Sequence, residues 1–292
     1  MAVIIAEFVR QRGHDMEHHT DLDLAPAGNP LREAVSLRGR SIFGMVRRAL
    51  DRKDVLLAYQ PVVDSRRPTH TAFYEGLIRV VDDTGRIIPA KDFIEACETS
   101  ETGRSLDCLS LEMGLAALAR APALRLSVNM SARSIGYPRW METLEAGLSV
   151  DETVAERLII EITESSAMVV PDKTMVFMER LRACGISFAL DDFGAGYTAF
   201  RYLRDLDFDI LKIAGQFVTG INQNPDNRVL TKALVLIAQQ FEMLTVAEAV
   251  ESEQDARMLT ALGVDCMQGF YYGAPTTRPC WPEFPPSLRA AG

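Results

Sequence analysis

The sequence alternates short β-rich runs with amphipathic helical stretches, and this alternation limits most strongly what the chain can fold into. Eight β-rich runs can be counted, at residues 56–63, 73–79, 125–129, 158–162, 187–191, 210–213, 244–248 and 266–271. Helical patterns fill most of the later gaps, at 106–120, 172–184, 228–241 and 253–262. Repeated strand–helix units are typical of a parallel barrel of about 250 residues, which fits within this chain.

The connection between the first two runs departs from this rhythm. About nine residues separate them, whereas a parallel crossover needs about a dozen or more. We therefore predict a TIM-like (β/α)8 barrel of the α/β class, with the first strand antiparallel to the others. A bundle of amphipathic helices is the alternative, and the β-branched residues of runs such as 158–162 disfavour it.

The two ends of the chain lack the strand–helix pattern. Residues 1–40 contain three histidines and a loop-like stretch rich in Pro and Ala. We predict a flexible or irregular arm there instead of a metal site, because no fourth ligand or rigid frame is visible. The barrel is predicted to occupy residues 41–280, beginning with a helix at 41–52, and a C-terminal tail follows at 281–292.

Composition narrows the class of protein. A net charge of -9 argues against a surface that binds long nucleic acid. No apolar run approaches the roughly 18 residues of a membrane span, and the apolar start lacks a basic leader. The five cysteines are scattered without a CxxC pair, which indicates buried thiols in a reducing compartment. We therefore expect a cytoplasmic protein.

Polar side chains stand at or beside the carboxyl ends of seven β-rich runs. They are Glu75, Asn129, Glu161, Asp191 with the adjacent Asp192, Lys212, Glu248 and Gln268. A single charge after an apolar run is ordinarily the chain emerging into solvent, and Lys212 alone would be interpreted in that way. Because the carboxyl ends of barrel strands meet at one mouth, their recurrence in seven runs favours a functional site.

The residue types at this mouth indicate metal chemistry. Crowded carboxylates repel one another unless cations neutralise them. Oxygen ligands without imidazole or thiolate suit Mg²⁺ or Mn²⁺ better than zinc. Adjacent Asp191 and Asp192 suit a pair of ions, which is the usual arrangement for phosphodiester hydrolysis. None of the four histidines stands at the end of a predicted parallel strand, so metal-activated water is a better candidate than an imidazole base.

Two acidic pairs also have ordinary structural explanations. Glu161 and Glu164 are three residues apart, a spacing that suits the surface of a helix, but the β character of 158–162 favours the site. Asp191 and Asp192 precede Phe193 and Gly194, where aspartate commonly initiates a turn. For this second pair both roles can hold together.

The residues at the predicted mouth fall within motifs of a known family. The motifs are YQPVV (59–63), EGLIR (75–79), LSVNMS (126–131), EITES (161–165), LDDFGAGY (190–197), LKI (211–213), VAEAVE (246–251) and QGF (268–270). Each motif is weak alone, but all eight occur in order. From residue 57 to about residue 275 the chain therefore resembles the EAL domain of cyclic di-GMP phosphodiesterases.

The resemblance implies a barrel that hydrolyses one phosphodiester of the bacterial second messenger cyclic di-GMP to linear pGpG, using two Mg²⁺ or Mn²⁺ ions, and that forms a homodimer. By this resemblance the ligands of one ion are Glu75, Asn129, Glu161 and Asp191, and the ligands of the second are Asp191, Asp192 and Glu248. Lys212 would hold the attacking water, with Gln268 beside the water network. Glu164 would anchor the loop after Asp192, and the substrate contacts would be Gln60 and Arg79.

Four departures from the family pattern bear on activity. Gly76 replaces alanine, Ala249 replaces glycine, Ala214 replaces an acidic residue two positions after the lysine, and Gly215 with Gln216 replaces a basic-polar pair. The sequence therefore leaves three hypotheses: an active phosphodiesterase, a weak or inactive cyclic di-GMP receptor or scaffold, and a metal-dependent barrel acting on another phosphoester. Retention of Glu75 and both aspartates favours the first.

Overall fold

The computed structural model of the protein describes residues 30–279 apart from 152, 168 and 196–200. A boundary between two units of the chain falls between Gly39 and Arg40. The strands and the site described below lie in the second unit. Most of the predicted arm at 1–40, with its three histidines, and the predicted tail at 281–292 lie outside the described residues.

Nine strands are present in the described part of the chain, and eight of them close into a barrel. They are β1 (Val55–Asp64), β2 (Thr71–Val81), β3 (Ile87–Pro89), β4 (Leu126–Asn129), β5 (Leu158–Thr163), β6 (Ser187–Phe193), β7 (Ile210–Ile213), β8 (Leu244–Ala247) and β9 (Cys266–Gln268). The order around the barrel is β1-β9-β8-β7-β6-β5-β4-β2, and pairing of β1 with β2 closes it. The predicted barrel is confirmed.

The antiparallel first strand is also confirmed, since β1 runs antiparallel to both β2 and β9. The connection from β1 to β2 is a tight turn stabilised by Asp64. Its carboxylate accepts hydrogen bonds from the backbone N–H groups of Arg66 and Arg67 at 2.8 and 3.0 Å. Such a turn replaces the crossover helix that a parallel pair would need.

Eleven α-helices are present among the described residues. They are α1 (Pro30–Arg52), α2 (Ile94–Cys97), α3 (Glu101–Arg120), α4 (Pro138–Leu148), α5 (Val154–Arg157), α6 (Glu164–Ala167), α7 (Pro171–Arg182), α8 (Arg201–Asp205), α9 (Gly215–Val218), α10 (Pro225–Gln240) and α11 (Glu253–Leu262). The four predicted helical patterns correspond to α3, α7, α10 and α11. Within the described residues, no helix combines the length and the apolar character needed to cross a membrane.

Several elements differ in their bounds from the sequence predictions. The helix predicted at 41–52 begins at Pro30, and strand β3 forms an unpredicted antiparallel extension of β2. The strand predicted at 266–271 ends at Gln268, because Gly269 packs against the backbone of Val250. Val250 N–H donates to the Gln268 carbonyl at 2.9 Å, which fixes this contact.

Apolar side chains form one layer of the barrel interior. This inner cluster consists of Val62, Phe73, Ile159, Ala189, Ile210, Val246 and Cys266, each from a different strand. A larger cluster packs the outer faces of the strands against the helices. Because side chains alternate between the two faces of a strand, the inner cluster determines which later residues of each strand also point inward.

The cysteines were predicted to be buried thiols. Cys97, Cys108 and Cys266 are buried, but Cys184 is exposed, so the prediction is wrong for that residue. Cys184 lies just after the end of α7, where the chain turns back toward β6. Cys280 lies outside the described residues.

Replacement of Gly269 is expected to destabilise the protein strongly. A Cβ at this position would lie 2.1 Å from the Val250 carbonyl oxygen and 2.3 Å from its nitrogen. Backbone atoms cannot move aside as a flexible side chain can, so we expect Gly269→Ala to lower the free energy of unfolding by about 3 kcal/mol. Urea unfolding measures this change.

Gly44→Ala provides the matched control for that measurement. Gly44 lies in α1, where an added Cβ would meet only Arg48 at 3.4 Å. Alanine is favoured over glycine inside a helix by about 1 kcal/mol, so this variant is expected to raise the free energy of unfolding. Equal effects of the two substitutions would contradict the close packing of Gly269 on Val250.

Candidate active site

The polar residues at the barrel mouth form a layer directly above the inner cluster. For six of the seven parallel strands the site residue follows the inner residue by two positions, and in the antiparallel β1 it precedes it by two; the inner cluster has no residue from β4. The pairs are Phe73 and Glu75, Ile159 and Glu161, Ala189 and Asp191, Ile210 and Lys212, Val246 and Glu248, Cys266 and Gln268, and Val62 and Gln60. The period-two alternation of a strand therefore points all seven side chains toward the barrel axis.

Lys212 lies at the centre of this layer, with its side chain 1 % exposed. Four carboxylates surround its Nζ atom, which lies 2.6 Å from Glu161 Oε2, 2.8 Å from Glu248 Oε1, 2.9 Å from Asp191 Oδ1 and 3.5 Å from Glu75 Oε2. One ammonium group thus neutralises only part of the charge that the four carboxylates carry when ionised.

Glu75 is oriented by amide groups from the neighbouring strands. Asn129 Nδ2 donates to its Oε1 at 2.8 Å, and Gln268 Nε2 donates to its Oε2 at 2.6 Å. The same Gln268 nitrogen lies 3.1 Å from Gln60 Oε1, and Gln60 Nε2 donates to the Gly273 carbonyl at 3.0 Å. Glu75, Asn129, Gln268 and Gln60 are therefore brought together in one hydrogen-bonded group.

Burial and crowding shift the pKa values of these carboxylates. Burial, together with the nearby charges of Glu75 and Asp191, raises the pKa of Glu161 well above its usual value, although Lys212 opposes the shift. Burial likewise raises the pKa of Glu248 to about 8. Burial lowers the pKa of Lys212, but the surrounding carboxylates outweigh this effect and the net pKa is raised. Lys212 therefore stays charged.

Asp192 differs from its neighbour Asp191 in conformation and exposure. Asp191 is buried, whereas Asp192 is exposed and has a φ of 53°, in the left-handed region that non-glycine residues rarely adopt. The pairing of β6 with β7 shifts register at this point. Burial of part of the side chain and the charge of Asp191 raise the pKa of Asp192. Asp192 is therefore influenced electrostatically by the central cluster.

Glu164 and Arg79 lie at the edge of the site. Glu164 is buried at the start of α6, and its Oε2 accepts the Gly194 N–H at 3.1 Å, two residues beyond Asp192. Arg79 lies on the same face of β2 as Glu75, four residues further along, and donates to the Ile78 carbonyl at 2.9 Å. Burial lowers the pKa of its guanidinium while the charge of Glu75 opposes this change.

A half-buried aspartate that the sequence did not single out supports the loop after Asn129. Asp107 on α3 accepts hydrogen bonds from Ser134 Oγ at 2.6 Å and from Ser131 N–H at 3.1 Å. Burial raises its pKa to about 7, although these two hydrogen bonds oppose the shift. The helical pattern around Asp107 gives no signal that distinguishes this acid from a solvated one.

The donor set fits divalent cations, although the described residues form no preassembled metal site. Across the described ranges, no group of three or more His, Cys, Asp or Glu side chains is arranged to hold an ion, because the carboxylates turn toward Lys212. Glu161 Oε1 is buried and has no hydrogen-bond partner among the described residues. Burying an oxygen without a hydrogen-bond partner costs free energy. Such an oxygen is a suitable ligand for a hard cation.

The sequence model of the EAL domain family matches residues 44–275 of the chain. Cyclic di-GMP phosphodiesterase PdeF of Escherichia coli strain K12 is 28 % identical over 239 residues, which are 80 % of this chain and 32 % of that protein. Cyclic di-GMP phosphodiesterase PdeB of Shewanella oneidensis is 29 % identical over 79 % of this chain and 27 % of its own length. The chain thus spans about a third of the length of these curated relatives.

Solved structures resemble the fold over a similar range. A structure titled PaMucR phosphodiesterase in complex with c-di-GMP is 29 % identical, with a TM-score of 0.70, covering 81 % of this chain and 97 % of that one. The FimX EAL domain from Pseudomonas aeruginosa bound to c-di-GMP has a TM-score of 0.72 at 24 % identity, covering 81 % and 97 % of the two chains. The second likeness concerns the fold alone.

The metal-free protein is expected to lose stability as pH rises from about 5 to about 8. Glu161 and Glu248 have raised pKa values in the folded protein, so they hold protons that the unfolded chain has already released. The stabilising contribution is complete below the unfolded pKa and is lost as pH passes through the folded pKa. We expect a loss of roughly 2 to 5 kcal/mol.

Urea unfolding in the presence of a chelator at several pH values measures this loss. The control is Glu248→Gln, which cannot titrate at that position and is expected to show a shallower dependence over the same interval. Stability that stays constant or rises with pH in the metal-free wild type contradicts the account of the crowded carboxylates.

Proposed function

The chain belongs to the EAL domain family, and on that premise we propose that it is a metal-dependent phosphodiesterase that hydrolyses cyclic di-GMP to linear pGpG. The observation that carries this proposal is the group of four carboxylates around buried Lys212. Relatives and a structural neighbour that are named for this activity or this ligand support the choice of substrate. The proposal includes a cytoplasmic location and a homodimer.

In this proposal the mouth carboxylates hold two Mg²⁺ or Mn²⁺ ions. Glu75, Asn129, Glu161 and Asp191 would hold the first ion, and Asp191, Asp192 and Glu248 the second. Such ions supply Lewis-acid charge and lower the pKa of bound water, which is the chemistry that phosphodiester hydrolysis requires. The hydrogen bonds of Gln268 and Asn129 to Glu75 keep its two oxygens aimed at the barrel axis.

Lys212 is proposed to serve the reaction as a fixed positive charge that also positions the attacking water. Its ammonium group is buried and its pKa is raised, so it does not act as a base near neutral pH. A preorganised cation in a buried site stabilises the negative charge that develops on the phosphoryl oxygens. Lys212 also holds the mouth carboxylates close together when no metal is bound.

Substrate binding is proposed to involve Gln60 and Arg79. Gln60 lies beside Glu75 in the register of β1 and β2, and Arg79 lies further along the same face toward the rim. The planar guanidinium of Arg79 suits a phosphate group, which it can bind with two parallel hydrogen bonds. Glu164 would keep the loop after Asp192 in place through Gly194.

A second candidate function is a cyclic di-GMP receptor with weak or no turnover. The observation that favours it is Ala214, which stands where the family pattern has an acidic residue and which is buried beside β7. Loss of a charge two residues from Lys212 alters the electrostatics of the site without removing any proposed ligand. A different phosphoester substrate on the same site is the third candidate.

One assay separates the three candidates. Purified protein is incubated with cyclic di-GMP and Mn²⁺, and the products are separated to detect linear pGpG. The proposed function predicts turnover. Tight binding without product favours the receptor, and hydrolysis of other cyclic or linear nucleotides in preference to cyclic di-GMP favours the third candidate.

Glu75→Ala is expected to abolish turnover while leaving the fold intact. The substitution removes a proposed ligand, so product formation should fall by about 100-fold or more. The thermal midpoint of the metal-free variant should remain close to that of the wild type, because relief of repulsion among the carboxylates offsets the lost hydrogen bonds.

The matched control for Glu75→Ala is Glu142→Ala, which removes an exposed carboxylate from α4. This control is expected to keep full activity and stability. Normal turnover by Glu75→Ala would show that Glu75 is not a ligand of the first ion, and it would contradict the proposed arrangement of ligands.

A further inference from the structure

The segment that follows β7 contacts the loops on both of its sides. Strand β7 lies between β6 and β8 in the barrel, so the residues after Lys212 run between the loop that follows Asp192 and the loop that contains Glu248. The Ala214 N–H reaches the Phe193 carbonyl, and the Glu248 N–H donates to the Ile213 carbonyl at 3.2 Å. Gly215, Gln216 and Phe217 extend this contact beyond the strands.

On the β6 side, the contacts concern Gly194. Gln216 Nε2 donates to the Gly194 carbonyl at 3.0 Å, while Glu164 Oε2 accepts the Gly194 N–H at 3.1 Å. Gly194 is therefore held through both its N–H and its carbonyl group. The Phe217 ring lies against the same residue, since a Cβ on Gly194 would be 2.7 Å from Phe217 Cε2.

The backbone of Gln216 is itself attached to a long helix. Asn227 in the first turn of α10 donates from Nδ2 to the Gln216 carbonyl at 2.9 Å. Gln216 is exposed, so its side-chain amide contributes little to the core. Its hydrogen bond to Gly194 therefore restricts the loop after Asp192 more than it stabilises the fold.

On the β8 side, the contact is between Gly215 and Ala249, the residue that follows Glu248. Ala249 has a φ of 52°, in the left-handed region. A Cβ on Gly215 would lie 2.9 Å from the Cβ of Ala249. Neither atom can move by side-chain rotation, so any residue larger than glycine at 215 must displace the backbone beside Glu248. Glycine at 215 therefore leaves the space that the Cβ of Ala249 needs.

We propose that Gly215 and Gln216 are positioning residues for Glu248 and Asp192, the two side chains that complete the second cation site. This inference rests on the proposed function. Neither residue is assigned a contact with an ion or with substrate; Gln216 acts through Gly194, and Gly215 acts through Ala249. Asp192 and Glu248 need this support because they are the more exposed ligands, whereas Glu161 is fully buried.

The first test measures Mn²⁺ binding to the metal-free protein by isothermal titration calorimetry. Gln216→Ala is expected to weaken one of the two Mn²⁺ sites by about tenfold, to leave the other unchanged, and to keep the wild-type thermal midpoint. Gln240→Ala, which truncates an exposed glutamine on α10, is the matched control and should bind as the wild type does.

The second test uses rescue. Gly215→Ala is expected to weaken the same site, and Gly215→Ala combined with Ala249→Gly is expected to restore it, because the second change removes the Cβ that the first one meets. Restoration of ion binding, and not only of stability, distinguishes positioning from a general packing defect. If Gly215→Ala does not fold, the Gln216→Ala titration decides alone.

The outcomes separate this inference from the proposed function. A wild type that binds two Mn²⁺ ions and hydrolyses cyclic di-GMP, with Gln216→Ala binding both ions equally well, overturns the inference alone. Failure of Ala249→Gly to restore the site in a folded double variant overturns the role of Gly215. A wild type that binds no Mn²⁺ overturns both proposals.

Discussion

The structure depends on one buried ammonium group placed among four carboxylates. Lys212 lies within 3.5 Å of oxygens from Glu75, Glu161, Asp191 and Glu248, and it cannot neutralise all of them. Burial first, and then the charges of neighbouring carboxylates, raise the pKa of Glu161 and of Glu248. The barrel holds the group together because each side chain projects from a separate strand whose position is set by its neighbours. The negative charge that Lys212 leaves uncompensated is the feature on which the proposed cation sites rest.

Much of this arrangement follows from strand periodicity and was predictable. The runs of β-rich residues predicted the barrel, and the short gap before the second run predicted an antiparallel first strand. The ends of the runs identified the mouth residues. A side chain two positions after an inner apolar residue lies on the same face of the strand and therefore also points into the barrel. Glu161 and Lys212 are clear examples, each following an isoleucine of the inner cluster.

Other features could not be predicted from the sequence because they arise from contacts between distant segments. The end of β9 at Gln268 depends on Gly269 approaching the backbone of Val250. The close approach of Gly215 to Ala249 depends on the conformation of both loops. In the sequence the two residues were only separate departures from a family pattern. Asp107 lies in a helix where an acid is common, and its role appears only when the loop after Asn129 is placed beside it.

The central claim is that the mouth carboxylates gather divalent cations around Asp191. Crystals of the protein grown with Mn²⁺ and measured at the manganese absorption edge test it most directly. We predict two anomalous peaks roughly 3.5 to 4 Å apart, with Asp191 between them, Glu161 beside one and Glu248 beside the other. A map with no peak at the mouth, while the carboxylates remain paired with Lys212, would contradict it.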